Sequence, residues 1–234
     1  TLSVTPLDLY SQHSKSYPQK ALILFLEILF LAASYFLMFT DAFVPYFGSS
    51  FSGSVPGIDR RAAIFVFSTV VFLRMNFMIF FLLKRRIPWG EAFEVPLAFA
   101  VYYLGFAFLV EAQPMAWRFL DLLGITLFAV GSYLNSASEW QRHAWKAEPE
   151  NRGKLYTRGL FSLSMHVNYF GDVLWVSGYA VLTLNIYSAA IPAMLFTFFA
   201  FYNIPKLDTH LAEKYGEAFV AFAATTRKFV PWVY

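Results

Sequence analysis

Residues 21–40 read ALILFLEILFLAASYFLMFT, an apolar run in which Glu27 is the only charged residue. A helix of about 20 mostly apolar residues crosses the hydrocarbon core of a bilayer, which is about 30 Å thick. Six windows of the chain meet or approach this length: 20–40, 62–83, 94–112, 118–136, 169–185 and 187–204. The sequence therefore predicts an all-α, polytopic integral membrane helix bundle with about six transmembrane helices, or at most seven.

The overall composition agrees with a membrane protein. Of the 234 residues, 58% are hydrophobic, 21% are aromatic and only 14% are charged, whereas a soluble domain has about 25% charged residues. These values exclude a disordered chain, a nucleic-acid-binding module and a small disulfide scaffold. They predict a single membrane domain over residues 1–234. The chain has no cysteine and no His-x-x-x-His pair, so we expect no metal site.

The basic residues are distributed unevenly over the predicted loops. With six spans, 14 of the 18 Lys and Arg residues lie on the side that holds both termini. Because cytoplasmic loops are enriched in Lys and Arg, this bias predicts that both termini are cytoplasmic. The first apolar segment has full spanning length and lacks a small-residue cleavage site, so we interpret it as a membrane helix and not as a cleavable signal. We expect an integral protein of a bacterial inner membrane or the endoplasmic reticulum.

The second half of the chain, residues 135–234, is richer in polar segments than residues 1–134. The segment Arg158-Gly-Leu-Phe-Ser-Leu-Ser-Met-His-Val-Asn-Tyr-Phe-Gly-Asp172 enters the fifth window and carries several of these polar residues. Asn168 and Asp172 are four residues apart and share a helical face. Polar side chains at this depth are costly unless they face a cavity or a ligand. The segment indicates either a ligand site or a helix-entry cap with interfacial aromatic residues.

Two further polar clusters lie on either side of this segment. The first is a stripe with spacings of four, three and four, which continues the fourth window as one helical face: Asn135, Glu139, Arg142 and Lys146. It is either a solvated face with an internal Glu139–Arg142 pair or a site for phosphate groups. The second follows the sixth window and comprises Lys206, Asp208, His210, Lys214 and Tyr215. This second cluster is either part of a ligand site or a group of basic and aromatic residues that anchors the chain at the membrane interface.

These clusters occur together in one known pattern, and the chain resembles the steroid 5α-reductase and sterol-reductase superfamily of membrane enzymes. Sterol reductases carry the stretch Gly-Trp-Trp-Gly-x-x-Arg-His-x-Asn-Tyr-x-Gly-Asp, which this chain matches at Gly159, His166, Asn168, Tyr169, Gly171 and Asp172. The family also has a C-terminal motif, Arg-Asp-Glu-x-x-Cys-x-x-Lys-Tyr-Gly. This chain resembles it at Lys206, Asp208, Lys214, Tyr215 and Gly216, while Leu211 replaces the cysteine. The resemblance covers residues 131–234 well, and the first half by hydrophobic pattern alone.

The resemblance implies that residues 135–234 form a cytoplasm-facing NADPH pocket and that residues 1–134 form a chamber for a hydrophobic substrate from the lipid bilayer. By position, Asn168 and Asp172 would contact the nicotinamide and its ribose. The stripe would line the diphosphate region, and Lys206 and Asp208 the adenosine end. The full set of candidate cofactor-binding residues is Asn135, Glu139, Arg142, Lys146, Arg158, His166, Asn168, Tyr169, Asp172, Lys206, Asp208 and Tyr215. The sequence has no Gly-x-Gly-x-x-Gly fingerprint of a Rossmann domain.

The first half departs from the steroid 5α-reductase pattern. With Phe43-Val44-Pro45 as the anchor, the family's Gln-Glu pair falls near Leu37-Met38 and its Tyr falls near Val71 or Phe72. Because these residues cannot polarise a carbonyl, we expect a substrate other than a 3-keto-4-ene steroid held in the usual way. The candidate catalytic residues are instead Tyr35, Asp41, Arg74 and Asn76. Arg74 matches a family arginine, and its alternative role is a structural pair with Glu27.

The resemblance predicts an NADPH-dependent oxidoreductase that transfers hydride to an activated C=C bond of a steroid- or lipid-like substrate. Isoprenylcysteine carboxyl methyltransferases, which use S-adenosylmethionine, resemble the same half and are the alternative. Three differences from their motifs favour the reductase: Val167-Asn168 replaces a proline-containing step, Asp172 follows Gly171, and Asp208-Thr209 stands where paired glutamates are expected. The missing substrate-polarising residues also leave open a non-catalytic membrane binding protein.

Overall fold

The computed structural model describes residues 15–40, 59–110 and 112–233. These ranges are helical and contain no β-strand, which confirms the predicted all-α bundle. The helices are α1 (Tyr17–Phe39), α2 (Arg60–Phe77), α3 (Trp89–Leu109), α4 (Phe119–Ala147), α5 (Val167–Thr183), α6 (Ala190–Phe198), α7 (Ile204–Tyr215) and α8 (Glu217–Thr225). A π-helical turn, Met78–Leu82, extends α2, and a second one, Phe199–Asn203, joins α6 to α7.

Each of the six apolar windows falls on a helix. Five helical segments of the described residues are long and apolar enough to cross a membrane: Tyr17–Phe39, Arg60–Leu82, Trp89–Leu109, Phe119–Ala147 and Ile186–Tyr215. Helix α5 has 17 residues and is shorter than these five. Helix α4 continues well past its apolar window to Ala147, so the polar stripe lies on a helix as its spacing predicts. The predicted orientation of the termini stays a prediction.

The helix ends follow from local side-chain chemistry. Pro18 stands in the first turn of α1, where a helix needs no backbone N–H from it. The Asp59 side chain caps α2 by accepting a hydrogen bond of 2.9 Å from the Arg61 backbone N–H. Between α7 and α8, Gly216 adopts a φ of 53°, a region that glycine enters without steric cost. These signals separate an otherwise continuous apolar chain into distinct helices.

The chain forms two compact units. The first comprises Thr1–Ile125 with Tyr179–Ile191, and the second comprises Thr126–Gly178 with Pro192–Tyr234. In the first unit α1 packs closely against α3. A buried ion pair joins Arg60 to Asp121 at 2.5 Å, and Lys20 donates a hydrogen bond of 3.0 Å to the Leu83 carbonyl at the end of the α2 extension. Polar groups in this unit therefore tie the helix ends together.

In the second unit, two glycines allow α4 and α5 to approach to backbone contact. A Cβ on Gly131 would lie 2.3 Å from the Trp175 backbone N, and a Cβ on Gly171 would lie 2.6 Å from the Asn135 backbone N. Backbone atoms cannot move aside as a flexible side chain can, so only glycine fits at this crossing. The crossing places Asn135 next to Asn168, whose carbonyl accepts a hydrogen bond of 3.2 Å from Asn135 Nδ2.

The C-terminal tail of the second unit is fastened to the segment that precedes α5. The backbone N–H of Met165 donates to the Arg227 carbonyl at 2.8 Å, and that of His166 donates to the Lys228 carbonyl at 3.1 Å. Ser164 Oγ donates to the Phe229 carbonyl at 2.7 Å. Phe229 is fully buried and packs with residues of α7 and of the turn before it. The tail therefore forms part of the scaffold around residues 164–172.

We expect Ser164→Ala to loosen this tail. The buried Phe229 carbonyl loses its donor, and leaving a buried acceptor unpaired costs about 1–3 kcal/mol. Thermal unfolding of the purified protein in detergent should show the corresponding loss of stability, and trypsin should cleave faster at Arg227 and Lys228. Ser162→Ala is the matched control because its exposed hydroxyl bonds only to a nearby carbonyl. Equal effects of the two substitutions would contradict this role of Ser164.

Candidate functional site

Glu139 is the centre of a polar network on α4, in the part of the helix that continues past its apolar window. Its carboxylate forms an ion pair with Arg142 one turn later on the same helix. Its second oxygen, Oε1, accepts a hydrogen bond of 2.9 Å from Asn168 Nδ2 on α5. Ser138 and Asn135, both buried, continue the network towards the helix crossing. The structure thus brings Asn135, Glu139 and Arg142 of the stripe together with Asn168, which lies about 30 residues further along the chain.

A second polar chain runs from His166, just before α5, through Asp208 to Lys228 in the tail. His166 Nε2 lies 2.8 Å from Asp208 Oδ1, and Lys228 Nζ lies 3.0 Å from Asp208 Oδ2. His166 is only 2% exposed, and its ring stacks parallel to Tyr169 with centroids 5.8 Å apart. Because a carboxylate accepts but does not donate, Nε2 carries the proton in this arrangement. Asp208 therefore fixes both the orientation and the tautomer of His166.

Basic and aromatic side chains border the Glu139 network. Lys146 Nζ donates to the Tyr215 hydroxyl at 3.3 Å and lies over its ring. The Arg142 guanidinium lies 5.6 Å from the centroid of Phe161. Phe161 belongs to the apolar cluster that fastens α8 to this part of the unit. Aromatic rings therefore orient the cationic groups of Lys146 and Arg142, and the same rings are planar surfaces on which a ring of a ligand could stack.

The other candidate cofactor-binding residues have different surroundings. Asp172 Oδ1 accepts a hydrogen bond of 2.8 Å from Trp175 Nε1, so Asp172 and Asn168 share a helix face but bind different side chains. Arg158 is exposed and directly precedes the 3₁₀ turn Gly159–Ser162. Lys206 is exposed as well and lies over the Tyr202 ring at 5.6 Å. None of the contacts described here joins Arg158 or Lys206 to the Glu139 network.

The candidate catalytic residues of the first half separate into two places, apart from Asp41, which lies outside the described residues. Tyr35 is 46% exposed and packs edge-on against Phe65 on the outside of the helices. Asn76 is buried and donates to Glu27 Oε2 at 2.5 Å. Arg74 lies on the same helix, α2, two residues before Asn76. Glu27 and Tyr103 were missed as site residues, although a lone acid in an apolar window could have indicated Glu27.

Curated proteins similar to this chain carry methyltransferase names. The chain is 36% identical over 92 residues to a probable O-methyltransferase, ustE, of Ustilaginoidea virens, a match that covers 39% of this chain and 32% of that protein. It is 29% identical over 116 residues to protein-S-isoprenylcysteine O-methyltransferase B of Arabidopsis thaliana, covering 47% and 58%. A probable protein-S-isoprenylcysteine O-methyltransferase of Oryza sativa subsp. indica is 23% identical over 121 residues, covering 49% and 63%. The chain thus spans less than two thirds of each relative.

A family model described as "Protein of unknown function (DUF1295)" matches residues 64–226. The match runs from within α2 to just past the end of α8, so it includes the whole Glu139 network and both His166 and Asp208, while Lys228 lies beyond it. DUF1295 is the family of steroid 5-alpha-reductase-like proteins, which confirms the resemblance at the level of the family. None of the three relatives above is named a steroid reductase. Their names favour the methyltransferase alternative over the NADPH reductase. The chain therefore belongs to the DUF1295 family.

Proposed function

We propose that this protein is a membrane-embedded methyltransferase that binds S-adenosylmethionine at the Glu139 network and methylates an oxygen atom of an apolar acceptor. The names of the relatives support this proposal, and so does one observation on the site. The residues that separate this chain from the methyltransferase motifs are engaged within the protein: Asn168 with Glu139, Asp172 with Trp175, and Asp208 with His166 and Lys228. These residues have structural partners, so their presence does not require a nicotinamide.

The charges of the site fit S-adenosylmethionine. This molecule carries a sulfonium, an ammonium and a single carboxylate, together with two ribose hydroxyls. In the site, Glu139 neutralises Arg142, and Asp208 neutralises Lys228. Because these two cations are neutralised, they favour a ligand of small net charge over a polyanion, and carboxylate and amide groups such as those of Glu139 and Asn168 hydrogen-bond hydroxyl and ammonium groups well. When bound, the cofactor supplies an electrophilic methyl group, while the residues of the chain bind and orient it.

The NADPH-dependent reductase is the second candidate, and the specific observation in its favour is the sequence His166-Val-Asn168-Tyr-Phe-Gly-Asp172. NADPH carries three phosphate groups, which need several cations that are available to bind them. In the described residues around the site, Arg142 and Lys228 are each paired with an acid. NADPH would therefore have to recruit Lys146 and Lys214, which both lie over the Tyr215 ring, or break an existing ion pair. This requirement makes NADPH the weaker fit of the two cofactors.

Thermal unfolding of the purified protein in detergent distinguishes the two proposals. A ligand that binds only the folded state stabilises it by about 2.7 kcal/mol at 100 times its Kd. We expect millimolar S-adenosylmethionine or S-adenosylhomocysteine to raise the midpoint by several degrees, and NADPH to leave it unchanged. A rise with NADPH and none with S-adenosylmethionine or S-adenosylhomocysteine would replace the methyltransferase proposal with the reductase.

A further inference from the structure

A buried polar cluster lies in the first unit, apart from the network described above. It is formed by Glu27 on α1, Asn76 on α2 and Tyr103 on α3, whose exposures are 0%, 8% and 0%. All three lie in helical segments long and apolar enough to cross a membrane. Glu27 and Asn76 are in direct contact, and Tyr103 lies on α3, which packs closely against α1, the helix of Glu27. Ionisable groups in such helices usually mark a functional site.

The hydrogen bonds of the cluster leave three polar atoms unused. Asn76 Nδ2 donates both of its hydrogens, one to Glu27 Oε2 at 2.5 Å and one to the Phe72 carbonyl at 2.9 Å. This pattern fixes the orientation of the amide and leaves Oδ1 as an acceptor. Within the part of the chain that the structure describes, Asn76 Oδ1, Glu27 Oε1 and Tyr103 Oη have no hydrogen-bond partner. The nearby phenol of Tyr179, by contrast, donates to Ser68 Oγ at 3.2 Å.

The three unused atoms define the chemistry of the group that would satisfy them. Two are acceptors only, and the third is a phenolic hydroxyl that both donates and accepts. A hydroxyl group is complementary, because it can donate to the carboxylate or the amide oxygen while it accepts from Tyr103. A charged ligand would also have to lose its hydration, which is costly beside the Glu27 carboxyl because that residue is itself 0% exposed. The cluster therefore suits a neutral hydroxyl better than a charged group.

The apolar exterior of the same helices indicates where such a hydroxyl comes from. The side chains that α1 and α2 expose are largely apolar, among them Phe25, Ile28, Leu29, Val70 and Leu73. A molecule that reaches the cluster from a bilayer must itself be mostly apolar. We propose that Glu27, Asn76 and Tyr103 form a binding site for the hydroxyl group of an amphipathic alcohol dissolved in the bilayer. This inference goes beyond the proposed function and does not depend on it.

Photolabelling tests the site in the intact protein in lipid nanodiscs. The probe is a long-chain aliphatic alcohol with a diazirine next to the hydroxyl-bearing carbon, because alkyl diazirines label carboxyl groups efficiently. Mass spectrometry should find Glu27 as the main labelled residue. An excess of 1-dodecanol should reduce this labelling at least threefold, whereas dodecyl methyl ether, which lacks the O–H donor, should leave it unchanged.

Variants separate binding from a purely structural role. Tyr103→Phe removes one hydroxyl that has no described partner, so it should fold normally and yet reduce the labelling of Glu27 at least threefold. Asn76→Leu should also reduce this labelling, and it should lower the thermal stability as well because Glu27 and the Phe72 carbonyl lose their donor. Tyr133→Phe is the control because this tyrosine is exposed on α4, and it should label like the wild type. Even labelling of all lipid-facing peptides, equal competition by the ether, or full labelling of Tyr103→Phe would each overturn the proposal, and water would then be the occupant of the cluster.

Discussion

Gly171→Ala is expected to unfold the second unit at a markedly lower temperature than the wild type. The new Cβ would lie 2.6 Å from the Asn135 backbone N and 2.7 Å from the Gly131 carbonyl oxygen. Both are main-chain atoms, so α4 and α5 must separate. Overpacking a core typically lowers the free energy of unfolding by about 1–3 kcal/mol. We expect about 3 kcal/mol here because the obstructing atoms belong to the backbone and cannot move aside as a side chain can. For a chain of this size the midpoint should fall by about 6–12 °C.

Gly90→Ala is the matched control for this prediction. Gly90 also lies in a helix, and its added Cβ would meet only Glu94 Oε1 at an ordinary contact distance of 3.7 Å. Since alanine has a higher helix propensity than glycine by about 1 kcal/mol, this substitution should be neutral or stabilising. A wild-type midpoint for Gly171→Ala, measured beside this control, would contradict the close helix crossing.

Glu139→Ala is expected to weaken the binding of S-adenosylmethionine by about 10- to 100-fold. The substitution removes a charged hydrogen-bonding group, and such bonds contribute about 1.5–3 kcal/mol. It also releases Arg142 and the Asn168 amide from their partner. Equilibrium binding in nanodiscs measures the change. Glu139→Gln should fall between the alanine variant and the wild type, because glutamine keeps the acceptor for Asn168 but lacks the charge.

Glu150→Ala provides the control for this effect on binding. Glu150 is exposed in the short 3₁₀ turn after α4, so its removal changes the net charge equally without touching the network. Binding should then match the wild type. Equal affinities of the Glu139 and Glu150 variants would mean that the ligand does not use the network.

The helices were predictable from sequence for a direct physical reason. A lipid environment demands long apolar helices, and the six windows each fall on one. The spacing of Asn135, Glu139 and Arg142 also predicted that α4 continues as a polar face, and the helix reaches Ala147. The periodicity of the sequence was thus enough to predict those features that depend only on residues close together along the chain.

Contacts between distant residues were not predictable in this way. Gly131 and Gly171 are 40 residues apart, and only the structure shows that they meet at a helix crossing. The pairing of the tail with Met165 and His166 spans about 60 residues in the same manner. Glu27 and Asn76 likewise meet across the helices of the first unit. No periodic pattern indicates which of many polar residues become partners.

The choice of enzyme class shows the same difficulty. Asn168, Asp172 and Asp208 favoured a reductase when only their order in the sequence was known. In the structure each of them binds another side chain of the protein. A polar residue in a motif that already has a structural partner does not by itself identify one particular cofactor. The motif therefore identified the family, while the methyltransferase proposal depends on the relatives and on the contacts of these residues.

Photocrosslinking shows whether S-adenosylmethionine binds at the Glu139 network. The intact protein in nanodiscs is irradiated with cofactor that carries a tritiated methyl group, and the labelled peptides are mapped. We expect label within residues 126–178 that is lost in Glu139→Ala, blocked by S-adenosylhomocysteine and unaffected by NADPH. Absence of label, or label that NADPH removes and S-adenosylhomocysteine does not, would contradict binding of S-adenosylmethionine at this network.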